Sequence, residues 1–138
     1  VIERIRVTPR GAGLLEITRS VRECVQRVSI ATGLCTLFVQ HTSASLLVQE
    51  NADPSARRDL EAWLTRLVPE GDPLFTHTLE GPDDMPAHVR SALTATSLSI
   101  PIEHGELLLG TWQGIYLWEH RRQAGPRTVI VHIAADAD

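Results

Sequence analysis

The sequence predicts an α+β domain with mostly antiparallel sheets packed as a sandwich and two or three short helices. Short strand-like runs outnumber the helical patterns. Turns rich in glycine and proline join those runs, so hairpins rather than βαβ units are expected. Finally, 138 residues of which 43% are hydrophobic fit a single domain over residues 1–138 with a real core. An eightfold β/α barrel needs about 250 residues and is excluded.

Val1 to Val7 alternates as a strand, and Thr8 to Gly13 carries turn chemistry. A short strand follows at Leu14 to Ile17. Ser20 and Glu23 have the spacing of a capping box, Val21, Val25 and Val28 fall at helical spacing, and Gly33 is placed to stop that helix. Leu34 to His41 and Leu46 to Asn51 read as strands. Asp53-Pro54 supplies an N-cap and a proline at the first helical position. The stripe Ala56, Leu60, Trp63, Leu64 and Leu67 then runs to Pro69. Pro69 to Pro86 is turn-rich and acidic, with a short strand expected at Phe75 to Leu79. Pro86 opens a helix to Leu93. Four strands close the chain at Ser97 to Glu103, Glu106 to Leu109, Thr111 to His120 and Arg127 to Ile133.

Charge narrows the function. The net charge is −4, against the basic face expected of a nucleic-acid binder. All 13 basic residues are arginine, which excludes Schiff-base lysine chemistry and the Gly-Lys-Ser/Thr phosphate loop. Cys24 and Cys35 are expected as buried free thiols. No apolar run approaches the ~20 residues that span a bilayer, so a soluble, cytoplasmic protein without membrane or nucleic-acid partners is expected.

The six histidines carry the chemical signal. His41 ends an apolar strand face, as a hydrogen-bonded core residue or a metal ligand. His77 and His88 flank Asp83 and Asp84, a setting that suits either a divalent cation or a solvated acidic loop. His104 and His120 read as surface residues, and His132 as the outer face of the last strand. Glu119 shares an apolar strand face with Gln113, Ile115 and Leu117. It is either paired with an arginine or set apart as a base or metal-site partner. The opposite face, Trp112, Gly114, Tyr116 and Trp118, reads as core or interface. Glu50-Asn51 forms a polar pair at a strand end.

Taken in order, His41-Thr42-Ser43-Ala44-Ser45, Gln49 to Pro54, Asp83 to His88, Ser97 to Ile102 and Gly110 to Tyr116 resemble the YjbQ family, also called the secondary thiamine-phosphate synthase family. The resemblance spans nearly the whole chain. It implies a homotrimer with sites near subunit boundaries, and a divalent metal, most often zinc, held by residues matching His41, His77 and His88. Three histidines with an open fourth position form a catalytic zinc pattern. The resemblance also implies a small phosphorylated substrate and thiamine-phosphate synthase-like activity. On that reading Glu119 is the general acid/base or orients a metal-bound water, and Gln113 contacts substrate. Thr42, Ser43, Ser45, Glu50, Asn51, Trp112 and Arg57 line the substrate site. Arg57, Arg58, Arg90, Arg121 and Arg127 are the candidates for neutralising a leaving pyrophosphate. The same site also admits a non-catalytic metal and phosphate-metabolite binding module, or a metal-assisted hydrolase.

Overall fold

Two antiparallel sheets and one helix enclose a shared apolar core in the computed structural model, which describes residues 1–137. The strands are β1 (Ile2–Val7), β2 (Gly13–Glu16), β3 (Gly33–Val39), β4 (Ala44–Glu50), β5 (Ser97–Glu103), β6 (Glu106–Leu107), β7 (Gln113–Glu119) and β8 (Arg127–Ala135). The helices are α1 (Thr18–Val28), α2 (Pro54–Leu67) and α3 (Asp84–Leu93). One sheet has the order β1-β8-β3-β5-β6 and the other β2-β7-β4. No helix among the described residues is long and apolar enough to cross a membrane.

Alternation sets the inner faces. Cys35, Leu37 and Val39 of β3 and Val129, Val131 and Ile133 of β8 point inward, while His132 is exposed as the alternation expects. They meet Ala44 and Leu46 of β4, Ile115 and Leu117 of β7, and Val21, Cys24 and Val25 of α1. Each such aliphatic side chain contributes about 1.5–3 kcal/mol on burial. Tyr116 and Trp118 face the other way and pack with Leu14 and with Leu60 and Leu64 of α2. Strand β7 is therefore covered on both faces, which is why its sequence is apolar on both. Cys24 and Cys35 are buried free thiols, and burial pushes Cys35 up to about 11.

Three local expectations are corrected. Helix α1 starts at Thr18, and Ser20 and Glu23 do not form a box. The Thr18 hydroxyl donates to Glu16 Oε2 at 2.7 Å and accepts the Ile115 N–H at 2.8 Å, tying the helix start to β7. The same helix ends at Ser29 in the left-handed region (φ 59°), well before Gly33. No strand forms at Phe75 to Leu79; Asp72 instead nucleates a turn by accepting the Leu74 N–H at 2.9 Å. By contrast, the α2 start is as read: Asp53 accepts the Ser55 N–H at 2.9 Å and Pro54 follows.

Gly33 serves close packing rather than helix termination. A Cβ there would overlap the Ala134 carbonyl oxygen of the neighbouring strand and lie 2.7 Å from Ile30 Cδ1. Backbone cannot yield cheaply in the middle of a sheet. Gly33→Ala is expected to destabilise the fold by about 1–3 kcal/mol, read as a lower urea midpoint with unchanged slope.

Candidate metal centre and the pocket beside it

The turn-rich loop after α2 returns His77 to the first residue of α3. One helical turn separates Asp84 from His88, so both project from the same face. Asp84 Oδ2 lies 2.8 Å from His77 Nε2 and 3.0 Å from His88 Nε2, and the two ring centroids are 5.5 Å apart. The three donor atoms lie within 4.8 Å of one another, close enough to hold one ion. Two imidazoles and a carboxylate form a donor set suited to zinc and related divalent ions.

His88 supplies a specific test of that fit. Its Nδ1 lies 2.9 Å from the Thr42 carbonyl oxygen, which can only accept, so Nδ1 carries a proton. Its Nε2 faces the Asp84 carboxylate, another acceptor. The ring must carry a second proton or direct its Nε2 lone pair at a cation. A backbone carbonyl fixing one ring nitrogen while the other faces the metal is the usual support of a histidine ligand.

Asp84 is held from behind. Its Oδ1 is 3.1 Å from Arg121 Nη1, and Arg121 also donates to Asp83 Oδ1 at 3.1 Å and the Glu80 carbonyl at 2.8 Å. Burial pushes the Asp84 carboxyl up, but the His77 hydrogen bond and the nearby His88 and Arg121 outweigh it and hold it below the ordinary carboxylate value.

Glu119 lies behind that layer. It is 1% exposed, and its two oxygens accept from Arg127 Nε at 2.6 Å and Nη2 at 2.5 Å. It also accepts the Arg121 N–H at 3.1 Å, and Arg127 Nη2 donates to Ser43 Oγ at 2.9 Å. An acid/base role does not suit a carboxylate so enclosed. The geometry makes Glu119 an anchor for Arg121 and for the loop through Ser43.

His120 is corrected from surface to core. It is 2% exposed, with Nε2 2.8 Å from Ser45 Oγ, and burial with the Arg90 and Arg127 charges pushes it down to about 3. Below pH 6.5 the unfolded chain therefore binds a proton there that the folded chain refuses. Stability is fully present above pH 6.5 and is lost as pH falls toward 3, by about 1.4 kcal/mol per unit for this one group. His41, also lowered by burial and the Arg127 charge, adds to the loss as pH falls below 6.5. Urea unfolding at pH 4.5 to 6.5 should show a slope shallower by about one proton in His120→Gln.

His41 is not drawn into the His77–Asp84–His88 group. Its Nε2 accepts the Thr128 N–H at 2.9 Å. The ring instead edges an open pocket of about 480 Å³, shared with Thr42, His88, Ser91, Ala92 and Thr96.

The remaining expected site residues lie elsewhere. In the β4–β7 register Glu50 sits opposite Gln113 at one end and Ala44 opposite Glu119 at the other. Six residue steps separate Gln113 from Glu119, about 20 Å of strand. Gln113 accepts the Gly110 N–H at 2.7 Å, Asn51 donates to Glu16 at 3.2 Å, and Trp112 is 64% exposed there. Arg57 reaches the Leu14 carbonyl at 3.4 Å. Within one chain these five do not meet the histidine group. The sequence reading placed Asp84 only behind the ligands; its four-residue offset from His88 was the available signal for a direct role.

A protein-family model described as UPF0047 protein YjbQ-like matches residues 3–136. A UPF0047 protein of Synechocystis is 50% identical over 134 residues, covering 97% of this chain and 91% of that protein. The UPF0047 protein YjbQ of Salmonella typhimurium is 45% identical, covering 93% of this chain and 91% of its own. Among solved structures, a conserved hypothetical protein of Thermus thermophilus superposes with a TM-score of 0.84 at 39% identity, covering 96% of this chain and 99% of that one. A YbjQ-like protein of unknown function from Sulfolobus solfataricus gives 0.89 at 25% identity, covering 99% and 97%. The chain belongs to the UPF0047 YjbQ-like family.

Proposed function

We propose that this protein is a metal-dependent enzyme acting on a small phosphorylated metabolite, with His77, Asp84 and His88 holding the ion. The observation that carries the reading is His88, whose two nitrogens both face acceptor oxygens beside an open pocket. A divalent ion, zinc by the donor set, supplies Lewis acidity toward a phosphoryl oxygen. Thr42 orients His88, Arg121 holds Asp84, and the Glu119–Arg127 pair fixes the loop that carries His41 to Ser43.

The arginines favour chemistry at one phosphoryl group. Arg121 and Arg127 are committed to carboxylates, Arg90 is buried and donates to the Val68 carbonyl at 2.6 Å, and Arg57 points to Leu14. None lines the pocket, so charge neutralisation for a leaving pyrophosphate is weak there. A thiamine-phosphate synthase-like condensation is accordingly a side activity in this proposal, and metal-assisted hydrolysis the nearest rival. A homotrimer belongs to the same reading. Exposed Ile2, Leu34 and Phe38 on the uncovered face of the five-stranded sheet support subunit association.

Turnover of a panel of phosphomonoesters and of paired thiamine precursors tests the proposal. Activity lost on chelation and restored by zinc or manganese supports it, and product analysis separates hydrolysis from condensation. Metal binding and ligand capture without multiple turnover would instead make the protein a binding module.

A further inference from the structure

His41 and His88 edge the same pocket with opposite hydrogen-bonding faces. The Thr128 amide can only donate, so the His41 Nε2 that receives it at 2.9 Å is the unprotonated nitrogen. The neutral ring then carries its proton at Nδ1. That nitrogen has no protein partner among the described residues, and the ring lines the pocket. Its orientation is rigidly set. Thr128 lies within β8, opposite Arg6 of β1, and its carbonyl accepts the Gln40 N–H at 3.2 Å next to His41.

We propose that His41 is a hydrogen-bond donor to an oxyanion bound in the pocket, through Nδ1–H, and is not a ligand of the cation-holding group. Ligation through Nε2 would require the ring to abandon Thr128 and strand a backbone N–H. Ligation through Nδ1 would require loss of its only proton. Burial and the Arg127 charge lower the His41 pKa against the smaller opposing pull of Glu119, so the ring donates as a neutral imidazole. The pocket thus has a donor at His41 and, through the shared His88, borders the group formed by His77, Asp84 and His88. A phosphate or carboxylate held there would accept from Nδ1–H, and an ion held by His77, Asp84 and His88 would supply the attracting positive charge. The inference rests on the proposed reading for the ion but not for the ring's own state.

Three measurements on the full chain test it. In histidine-labelled protein, nitrogen NMR of His41 is expected to give a protonated Nδ1 and an unprotonated Nε2, unchanged by zinc. Zinc stoichiometry is expected to survive in His41→Gln and to fail in His88→Gln. Binding of inorganic phosphate to the zinc-loaded protein is expected to weaken at least about tenfold in His41→Phe, the effect of one hydrogen bond to a charged group, with partial rescue in His41→Gln, whose amide can donate. A proton at Nε2, a zinc-induced ligation shift at His41, zinc loss in His41→Gln, or phosphate binding that is absent or indifferent to His41→Phe would each overturn the proposal. A wild-type chain that takes up no zinc would defeat the metal reading alone; the ring's tautomer and phosphate titration of the zinc-free protein would still decide the role of His41.

Discussion

Glu119→Ala is expected to lower the melting temperature by more than 10 °C, on the order of the 3–5 kcal/mol that an orphaned buried charge costs. Removing the carboxylate strands Arg127, whose guanidinium is 8% exposed as a side chain and spends two nitrogens on Glu119. It also releases the Arg121 amide and loosens the hold on Ser43. The double variant Glu119→Leu with Arg127→Met removes both charges together. It should recover a large part of the loss, because the penalty lies in the unpaired charge rather than in the missing pair. Thermal unfolding of the three proteins checks this. A single variant melting within 3 °C of the parent would remove Glu119 from its anchoring role.

Asp84→Asn is expected to weaken divalent-ion binding by more than about 100-fold, since loss of mere supporting groups around a metal already costs 10–100-fold. The substitution keeps the shape while removing the charge that both imidazoles face at 2.8 and 3.0 Å. Arg121 retains Asp83 and the Glu80 carbonyl, so the loop keeps two of its ties. Elemental analysis after equilibration with zinc, beside far-ultraviolet circular dichroism, distinguishes a lost ligand from a lost fold. Full metal content in Asp84→Asn would exclude the carboxylate from the centre.

Much of the fold was legible because its signals are local. Strict alternation marks β3 and β8, the two-sided apolar run marks β7, and Asp53-Pro54 marks the start of α2. Failures came where a distant partner claimed a group. Thr18 yields its hydroxyl to Ile115, so the helix starts two residues before Ser20. Gly33 answers to a strand roughly a hundred residues away in sequence, and nothing near it announces that. The candidate site divides in the same way. The offset between Asp84 and His88 is local and readable. The burial of His120 is not: Arg121-Arg122 beside it look like a polar loop, whereas Ser45, from β4, supplies the interior partner. Nor could spacing show that Glu50 and Gln113 share one end of a strand pair and Glu119 the other.

The position of β8 between β1 and β3 has a consequence for how the protein is made. Both neighbours leave the ribosome long before their shared partner, which begins 88 residues after Val39. At about 5–20 residues per second, β3 waits roughly 4–18 s and β1, which ends at Val7, roughly 6–24 s with an unsatisfied edge. A nascent chain stalled before Arg127 would hold two open strand edges and a half-built apolar face, the condition in which intermolecular pairing competes with folding. Translation pauses across residues 40–126 should therefore raise the demand for chaperones more than pauses elsewhere in the chain.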